Sequence, residues 1–177
     1  MRKIKFNNLF IIKDLIDSSD LVLVQNYLKS VNWISGIGND PNQNCQIDDL
    51  NVNAILEKAK DSLMNEIQKD FKVSIGKEEI GTIVKYCKGW KLNRHYDQLD
   101  SLPTFAGYPS RDLSSVIYLT DNFNGGNIFF PELQAEIEPI AGSAIYFPGT
   151  QDYIHEVKEL IHGERIAITN FWCILQN

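Results

Sequence analysis

Three side chains with metal-binding chemistry, together with one fixed cation, organise the functional interpretation of this sequence. His95 and Asp97 stand two residues apart in a segment of β-strand character, and side chains with this spacing point to the same face of a strand. His155 lies on a later predicted strand, and Arg165 follows it by ten residues. Two imidazole nitrogens and one carboxylate on one side of an ion leave its other positions open, which suits an Fe(II) that must bind further ligands.

The pair of His95 and Asp97 is a weak signal by itself, because a histidine linked to an aspartate at a strand end is an ordinary surface feature. The whole constellation is more specific, since it adds a second histidine, the arginine and a turn at Gly125–Gly126 between the two histidines. Zn(II) prefers tetrahedral sites, and no cysteine neighbours these residues in the sequence. We therefore expect iron, with Mn and Zn left open.

Arg165 is the candidate for binding a ligand that also reaches the metal. A turn at residues 161–164 would fold the strand after His155 back, so that Arg165 projects into the same interior, one layer deeper than the metal. A guanidinium is always charged and pairs with a carboxylate through two hydrogen bonds. The side chains that share its face of the strand are Ala167, Thr169 and Phe171. An interior of this composition fits a polar ligand; the alternative is a surface ion pair with Glu164 or Glu156.

Residues 80–172, about half of the chain, resemble the Fe(II)- and 2-oxoglutarate-dependent dioxygenases, in particular their prolyl 4-hydroxylase-like branch. The motif residues occur in the family's order and with its approximate spacings. They are Tyr86, Gly89, His95, Asp97, the run 116–120, Gly125, Gly126, Phe130, Pro131, Pro139, Gly142, Phe147, His155, Val157, Gly163, Arg165 and Thr169.

The resemblance implies a role for each matching residue. The catalytic residues would be His95, Asp97, His155 and Arg165. The first three would bind Fe(II), and the arginine would meet the distal carboxylate of the cosubstrate 2-oxoglutarate. The residues expected to contact the cosubstrate with it are Tyr118, through its hydroxyl, Tyr86 and Thr169. O₂ would be the oxidant, and ascorbate is a candidate reductant.

The substrate contacts are less well defined by the sequence. The candidates are Trp90, Phe105, Tyr108 and Phe171. Two of them belong to the long segment 98–111, which we interpret either as a lid or binding loop or as a solvated excursion. Three departures from the family pattern also concern the substrate. Arg165 stands where collagen-type members usually carry Lys, Asn127–Ile128 replaces the common Glu-Thr, and Trp90 stands where many members carry Tyr or Phe.

Two helices are predicted before the strands. Apolar residues at 21, 24, 28 and 31 predict the first, after N-cap candidates at 17–20. The second is predicted to begin after Asp48 or Asp49, and its apolar stripe, interpreted as packing against a sheet, is Val52, Ile55, Leu56, Ala59, Leu63, Ile67 and Phe71. Residues 4–12 are predicted as one edge strand and residues 36–44 as a loop.

From residue 79 onward, short β-prone runs alternate with turns. Strands are predicted over 79–86, 91–96, 113–120, 127–130, 135–140, 143–147, 153–158 and 165–174. Turns are predicted at 122–126, 148–149 and 162–163, the last with His162 exposed and not a ligand. This pattern favours a mainly β, α+β fold: a double-stranded β-helix (a cupin-like jelly-roll) buttressed by N-terminal helices. We expect one domain over 1–177, with a supporting part (1–78) and a catalytic part (79–177).

Composition limits the class of partner. The chain has 177 residues, 44% hydrophobic and 23% charged, with a net charge of −6, which argues against nucleic acid as a ligand. No apolar run of membrane-spanning length and no signal peptide are recognised, so we expect a cytosolic protein. The three cysteines are expected to be reduced. The oligomeric state is open.

The leading hypothesis is a dioxygenase that hydroxylates a C–H bond, most specifically in a prolyl residue of a peptide or protein. The prolyl part rests on analogy. The alternatives are a hydroxylase of a free amino acid or small metabolite, and a metal-binding cupin-like module without turnover. A nucleic-acid demethylase of the same superfamily ranks lower, because such enzymes usually carry a second Arg at the position of Phe171.

Overall fold

The structure is a computed structural model that describes residues 2–35, 42–79, 83–98 and 111–175, and the side chains of these except 77–79. Within them, the strands are β1 Arg2–Phe6, β2 Leu9–Lys13, β3 Ile34–Ser35, β4 Gln43–Cys45, β5 Ile75–Glu79, β6 Ile83–Tyr86, β7 Leu92–His95, β8 Leu113–Tyr118, β9 Asn124–Gly125, β10 Ile128–Phe130, β11 Ala135–Ile137, β12 Ala144–Pro148, β13 His155–Val157, β14 Leu160–His162 and β15 Arg165–Ile174. The helices are α1 Ser18–Leu28 and α2 Leu50–Phe71.

The N-terminus forms a hairpin of β1 and β2, so the prediction of one strand over 4–12 is wrong. Asn7 has a φ of 55°, which turns the chain back at a position where asparagine is tolerated. Every residue of β1 is exposed, whereas Leu9, Phe10 and Ile12 of β2 are buried. The prediction treated the apolar residues on both sides of Asn7–Asn8 as one strand, although these two polar residues mark the turn of the hairpin.

Both helices begin at an aspartate cap. The Asp17 carboxylate accepts a hydrogen bond from the Asp20 N–H, and the Asp49 carboxylate accepts from the N–H groups of Asn51 and Val52. The predicted stripe of α2 faces the core: Val52, Leu56, Ala59, Leu63 and Ile67 are buried, and Ile55 and Phe71 pack against them. Neither helix among the described residues has the length and apolarity needed to cross a membrane.

A large sheet supports the site. Its strand order is β1-β2-β12-β8-β15-β6-β4-β3, and β5 pairs with the distal part of β15. One face packs on the helices: Ile166, Ile168 and Trp172 of β15 share a core cluster with Val24 and Leu63. The even-numbered residues of β15 therefore face the helices, and the odd-numbered ones face the opposite side, as strand parity predicts.

A smaller sheet, of order β11-β10-β13-β7, covers that opposite face. Ile128 and Phe130 of β10 pack against Val116, Ala167 and Phe147 of the large sheet, which forms a second apolar core. This double-layered β-structure with helices on its outer face is the predicted jelly-roll. β4 overlaps the segment predicted as a loop, β9 lies within a predicted turn and β14 ends at the start of another, because strands of two or three residues leave no readable alternation.

Candidate active site

The two histidines of the predicted metal site face each other across neighbouring strands of the small sheet. His155 of β13 and His95 of β7 are directly opposed in the antiparallel register. Their ring centroids lie 4.3 Å apart. A cross-strand pair of this kind brings two imidazoles to one point although 60 residues of sequence separate them.

Backbone hydrogen bonds orient both rings in the same way. Nδ1 of His95 lies 2.8 Å from the carbonyl oxygen of Asn93, and Nδ1 of His155 lies 3.0 Å from that of Tyr153. A carbonyl accepts only from a protonated nitrogen, so Nδ1–H donates in both residues, and in the neutral imidazole it is then Nε2 that carries the lone pair. This is the tautomer in which Nε2 can bind a metal, held by a neighbouring backbone group.

Asp97 completes the group from beyond the end of β7, which stops at His95 and not at residue 96 as predicted. The N–H groups of Asp97 and Gln98 both donate to the carbonyl of Gly149, which fixes the backbone there. The carboxylate oxygens of Asp97 lie 3.4 Å from Nε2 of His95 and 3.8 Å from Nε2 of His155. The three donor atoms all lie within 4.8 Å of one another, close enough to bind one ion.

Burial and mutual charge set the protonation of this group. Burial opposes ionisation of Asp97, but the His95 hydrogen bond, the charge of His155 and the Ser114 hydroxyl hold the pKa of its carboxyl below the usual value. Burial lowers the pKa of His155, whereas the hydrogen bond to Asp97 raises the pKa of the more exposed His95. The site therefore presents one carboxylate and two imidazoles that differ in how readily they are protonated.

The three donors open into a cavity of about 330 Å³. Its walls are mostly apolar or aromatic, and the lining residues besides the donors are Tyr86, Trp90, Leu92, Arg111, Ser114, Val116, Ile128, Phe147, Val157, Arg165, Thr169 and Phe171. Three residues of the predicted inward face of β15 therefore line the cavity: Arg165, Thr169 and Phe171. Ala167, the fourth residue of that face, is buried in the core between the sheets.

Arg165 is a buried cation surrounded by aromatic rings. It is only 3% exposed, and its Cζ lies 5.0, 5.2 and 5.9 Å from the ring centroids of Tyr86, Tyr118 and Trp90. The alternative of a surface ion pair is not observed among the described residues, since Glu164 pairs with Lys85 and Glu156 with Arg94 and Lys158.

Two buried polar atoms beside this cation have no hydrogen-bond partner among the described residues: Nε of Arg165 and the hydroxyl of Tyr118. Burial raises the pKa of the Tyr118 hydroxyl, and the charge and proximity of the Arg165 guanidinium offset part of that effect, although the two groups do not meet hydrogen-bond geometry. An unsatisfied buried donor costs about 1–3 kcal/mol, so such atoms are normally paired. A carboxylate between them would satisfy both, and the site therefore fits an anionic ligand at this end.

The structure also locates residues that the sequence interpretation left out or placed differently. Ser114 lines the cavity on the same face of β8 as Tyr118, four residues away, so strand parity would have identified it. The Arg111 guanidinium lies 3.8 Å from the Phe171 ring centroid at the cavity wall, and no signal in the sequence distinguished it. Trp90 lies beside Arg165. Phe105, Tyr108 and residues 99–110 of the predicted lid are outside the described residues.

Comparison with known proteins agrees with this geometry. The family model described as "2OG-Fe(II) oxygenase superfamily" matches residues 81–173, slightly more than half of the chain, and this range contains all three metal-binding candidates and Arg165. Prolyl 3-hydroxylase 1 of Rattus norvegicus is 39% identical over 66 residues, which are 34% of this chain but only 9% of that protein. The similarity therefore spans about a tenth of that relative's length.

Two solved structures have the same fold over nearly the whole chain. A viral collagen prolyl hydroxylase from Paramecium bursaria Chlorella virus 1, in complex with 2OG, has a TM-score of 0.65 and 18% identity, over 97% of both chains. A prolyl hydroxylase from Trichoplax adhaerens, in complex with a peptide fragment of the hypoxia inducible factor oxygen degradation domain, has a TM-score of 0.69 and 22% identity, over 94% of this chain and 84% of that one.

Proposed function

The chain belongs to the 2OG-Fe(II) oxygenase superfamily, and on that premise we propose that it hydroxylates prolyl residues of a peptide or protein. One observation carries the proposal: His95, Asp97 and His155 place their donor atoms within 4.8 Å of one another in a cavity that is also lined by a buried arginine. The cofactors that the family implies are Fe(II), 2-oxoglutarate and O₂.

His95, Asp97 and His155 are proposed to hold the Fe(II). The Nδ1 hydrogen bonds to the carbonyls of Asn93 and Tyr153 present both Nε2 lone pairs to the ion, and Asp97 supplies a negative charge that offsets part of the metal's charge. Donors on one side of the ion leave its remaining positions to the cosubstrate and oxidant.

Arg165 and Tyr118 are proposed to bind the distal carboxylate of 2-oxoglutarate. Both have a buried polar atom that no other described residue pairs, and the guanidinium is a permanent cation in a surrounding of low polarity, where its attraction for a carboxylate is strong. Tyr86 would form one wall beside the cosubstrate, and Thr169 would offer a hydroxyl from the same face of β15 as Arg165. A dicarboxylate held at both ends is fixed in orientation.

When bound, Fe(II), 2-oxoglutarate and O₂ supply the oxidation of a C–H bond: R–H + 2-oxoglutarate + O₂ gives R–OH + succinate + CO₂. The protein's part is to position the substrate and to exclude water from the cavity. Leu92, Val157 and Ile128 form apolar walls near the metal-binding residues and would shield the reacting carbon from solvent.

A prolyl ring suits this cavity because it is small and uncharged. It can therefore pack against apolar walls, which are formed by Leu92, Ile128, Val157 and Phe171. The names of the similar proteins support a prolyl substrate. Because one of them is a prolyl 3-hydroxylase, the test must also determine which carbon of the ring is hydroxylated. A peptide or protein partner is supported by the Trichoplax adhaerens structure, which contains a peptide fragment.

One observation favours a second candidate, the hydroxylation of a free amino acid. Arg111 lines the cavity, and its guanidinium stacks on Phe171, so a cation is present where a free α-carboxylate could bind. A prolyl residue inside a peptide has no such carboxylate. The two candidates therefore differ in whether blocking the substrate's carboxyl group abolishes the reaction.

The test is mass spectrometry after incubation with Fe(II), 2-oxoglutarate and ascorbate. A library of proline-containing peptides with blocked termini and a set of free amino acids are assayed side by side for the gain of one oxygen atom, and the product is compared with 3- and 4-hydroxyproline standards. The Asp97→Ala variant serves as the control. Oxygen gain only in free amino acids would refute the prolyl-peptide proposal, and no succinate or oxygen gain in any arm would refute hydroxylation itself.

A further inference from the structure

Trp90 forms a wall of the cavity at the end where Arg165 lies. It belongs to the connection between β6 and β7, and this connection is held on β14 by two backbone hydrogen bonds. The Gly89 N–H donates to the Leu160 carbonyl at 2.7 Å, and the Leu160 N–H donates to the Trp90 carbonyl at 2.8 Å. The position of the indole is therefore set by the tertiary structure, although Trp90 is not on a strand.

The indole closes a box around the arginine. Its ring centroid lies 3.9 Å from that of Tyr86, with the planes tilted by 35°, and 5.9 Å from Cζ of Arg165. Tyr86 is opposite Arg165 in the register of β6 and β15, and Tyr118 is fully buried on β8. On another side, Gly126 leaves little room, since a Cβ there would lie 3.2 Å from Cδ of Arg165.

These walls differ in how they are supported. Tyr86 and Tyr118 are fixed within the ladder of the large sheet, and enlarging the box there would disturb the core. Trp90 is half-buried, and its ring lies beside Arg165 from a connection outside the strands. It is the wall that can be removed at the smallest cost to the fold.

We infer that Trp90 determines the length of 2-oxo dicarboxylate that the cavity accepts, and so selects 2-oxoglutarate over its longer homologue 2-oxoadipate. This inference rests on the proposed function. With the keto-acid end at the metal-binding residues and the distal carboxylate at Arg165, both ends of the ligand are fixed. One further methylene must push the distal carboxylate against the rings that surround Arg165, and crowding of this kind is destabilising. Replacing the indole by a smaller side chain creates space for it.

The experiment measures binding, with no turnover. Wild-type protein and the Trp90→Ala variant are loaded with Mn(II), and the affinities for 2-oxoglutarate and 2-oxoadipate are measured by calorimetry. We expect the wild type to prefer 2-oxoglutarate, and the ratio of the two affinities to shift toward 2-oxoadipate in the variant by roughly 10- to 100-fold, the usual value of one methylene in a fitted pocket. The absolute affinity for 2-oxoglutarate should also fall.

Two further variants separate selectivity from folding. Trp90→Phe keeps an aromatic ring beside Tyr86 and should give an intermediate ratio, which provides a result even if the alanine variant does not fold. Trp33→Phe changes a tryptophan outside the cavity and should leave the ratio unchanged. A ratio in Trp90→Ala and Trp90→Phe equal to that of the wild type would overturn this inference alone. Failure of the wild type to bind either acid would instead overturn the proposed function.

Discussion

The two ends of the cavity are built in opposite ways. At the metal end, each histidine already donates from Nδ1 to a backbone carbonyl, and Asp97 is tied to Gly149 through its backbone. At the other end, Arg165 and Tyr118 hold buried polar atoms that have no partner within the described part of the chain. The metal-binding side chains are thus held in orientation before any ligand binds, whereas the cation end keeps buried polar atoms that an anion would pair.

The difference follows from which sheet supplies each end. The histidines come from β7 and β13 of the small sheet, where His95 keeps part of its surface exposed. Arg165 and Tyr118 come from neighbouring strands of the large sheet, which is covered on both faces. His155 and Asp97 are buried too, but backbone carbonyls pair the His155 Nδ1–H and the Asp97 N–H, whereas the polar groups inside the covered sheet depend on the ligand.

The largest expected effect comes from breaking the metal end. Asp97→Ala removes the charged donor, so we expect Mn(II) or Fe(II) affinity to fall by more than about 100-fold. Loss of a residue that only supports a ligand costs about 10- to 100-fold, and loss of the ligand itself should cost more. Turnover should become undetectable. The fold should persist because Asp97 lies beyond the end of β7. Metal titration and circular dichroism measure the two quantities, and loss of all structure in this variant would contradict the separation of site and fold.

The next effect comes from breaking the cation end. Arg165→Ala should leave metal binding intact and weaken 2-oxoglutarate binding by roughly 2–4 kcal/mol, the cost of leaving a buried carboxylate unpaired. Calorimetry on the Mn(II)-loaded protein measures it. Arg94→Ala is the matched control, because Arg94 is exposed and its ion pair with Glu156 contributes only about 0–1 kcal/mol. Equal affinities in wild type and Arg165→Ala would show that the cosubstrate does not reach this residue.

Strand parity explains how much of this arrangement was predictable. The bounds predicted for β15 agree with the structure, and alternation along it places Arg165, Thr169 and Phe171 at the cavity. The stripe of α2 was equally clear, because a 22-residue helix repeats its pattern many times. In a helix or strand of sufficient length, the spacing of apolar residues predicts which face points to the core.

Residues outside periodic elements had no such signal. Asp97 is held by the carbonyl of Gly149, more than fifty residues away, and Trp90 by Leu160 of β14. These are tertiary contacts of loops, which no local pattern encodes. The sequence interpretation therefore grouped Trp90 with the substrate contacts, whereas the structure places its ring beside Arg165 and Tyr86. The roles of all these residues remain predictions that the variants test.

Protons compete with the metal for the histidines, so metal affinity should change by about tenfold per pH unit, whereas binding at Arg165 should not. The pKa of His95 is raised above its ordinary 6.5, so this imidazole holds its proton to a higher pH, and a metal must displace it. Metal affinity should therefore weaken as the pH falls through a value above 6.5, with a slope near one decade per unit, and more steeply at lower pH where His155, whose pKa is lowered, also takes up a proton.

The cation end should be indifferent over the same range, since a guanidinium does not titrate there. Mn(II) affinity measured from acidic to mildly alkaline pH, and 2-oxoglutarate affinity at saturating Mn(II), separate the two behaviours. His162→Ala is the control, because His162 is exposed at the end of β14 and should leave the profile unchanged. A metal affinity that does not change with pH would contradict the assignment of His95 and His155 as ligands.

The smallest effect is expected from Tyr118→Phe, and it is the sharpest test of the contrast between the ends. This change removes a buried hydroxyl that has no hydrogen-bond partner among residues 2–35, 42–79, 83–98 and 111–175, but it keeps the ring that packs on Arg165. We expect the free energy of unfolding without ligand to rise by up to about 1 kcal/mol, because an unsatisfied polar group is lost, and 2-oxoglutarate affinity to fall by roughly fivefold, because one hydrogen bond is lost. Chemical denaturation and calorimetry measure the two changes. A rise in the free energy of unfolding together with a fall in 2-oxoglutarate affinity would mean that the hydroxyl destabilises the free protein and serves binding. A fall in the free energy of unfolding without ligand would mean that the hydroxyl is already paired.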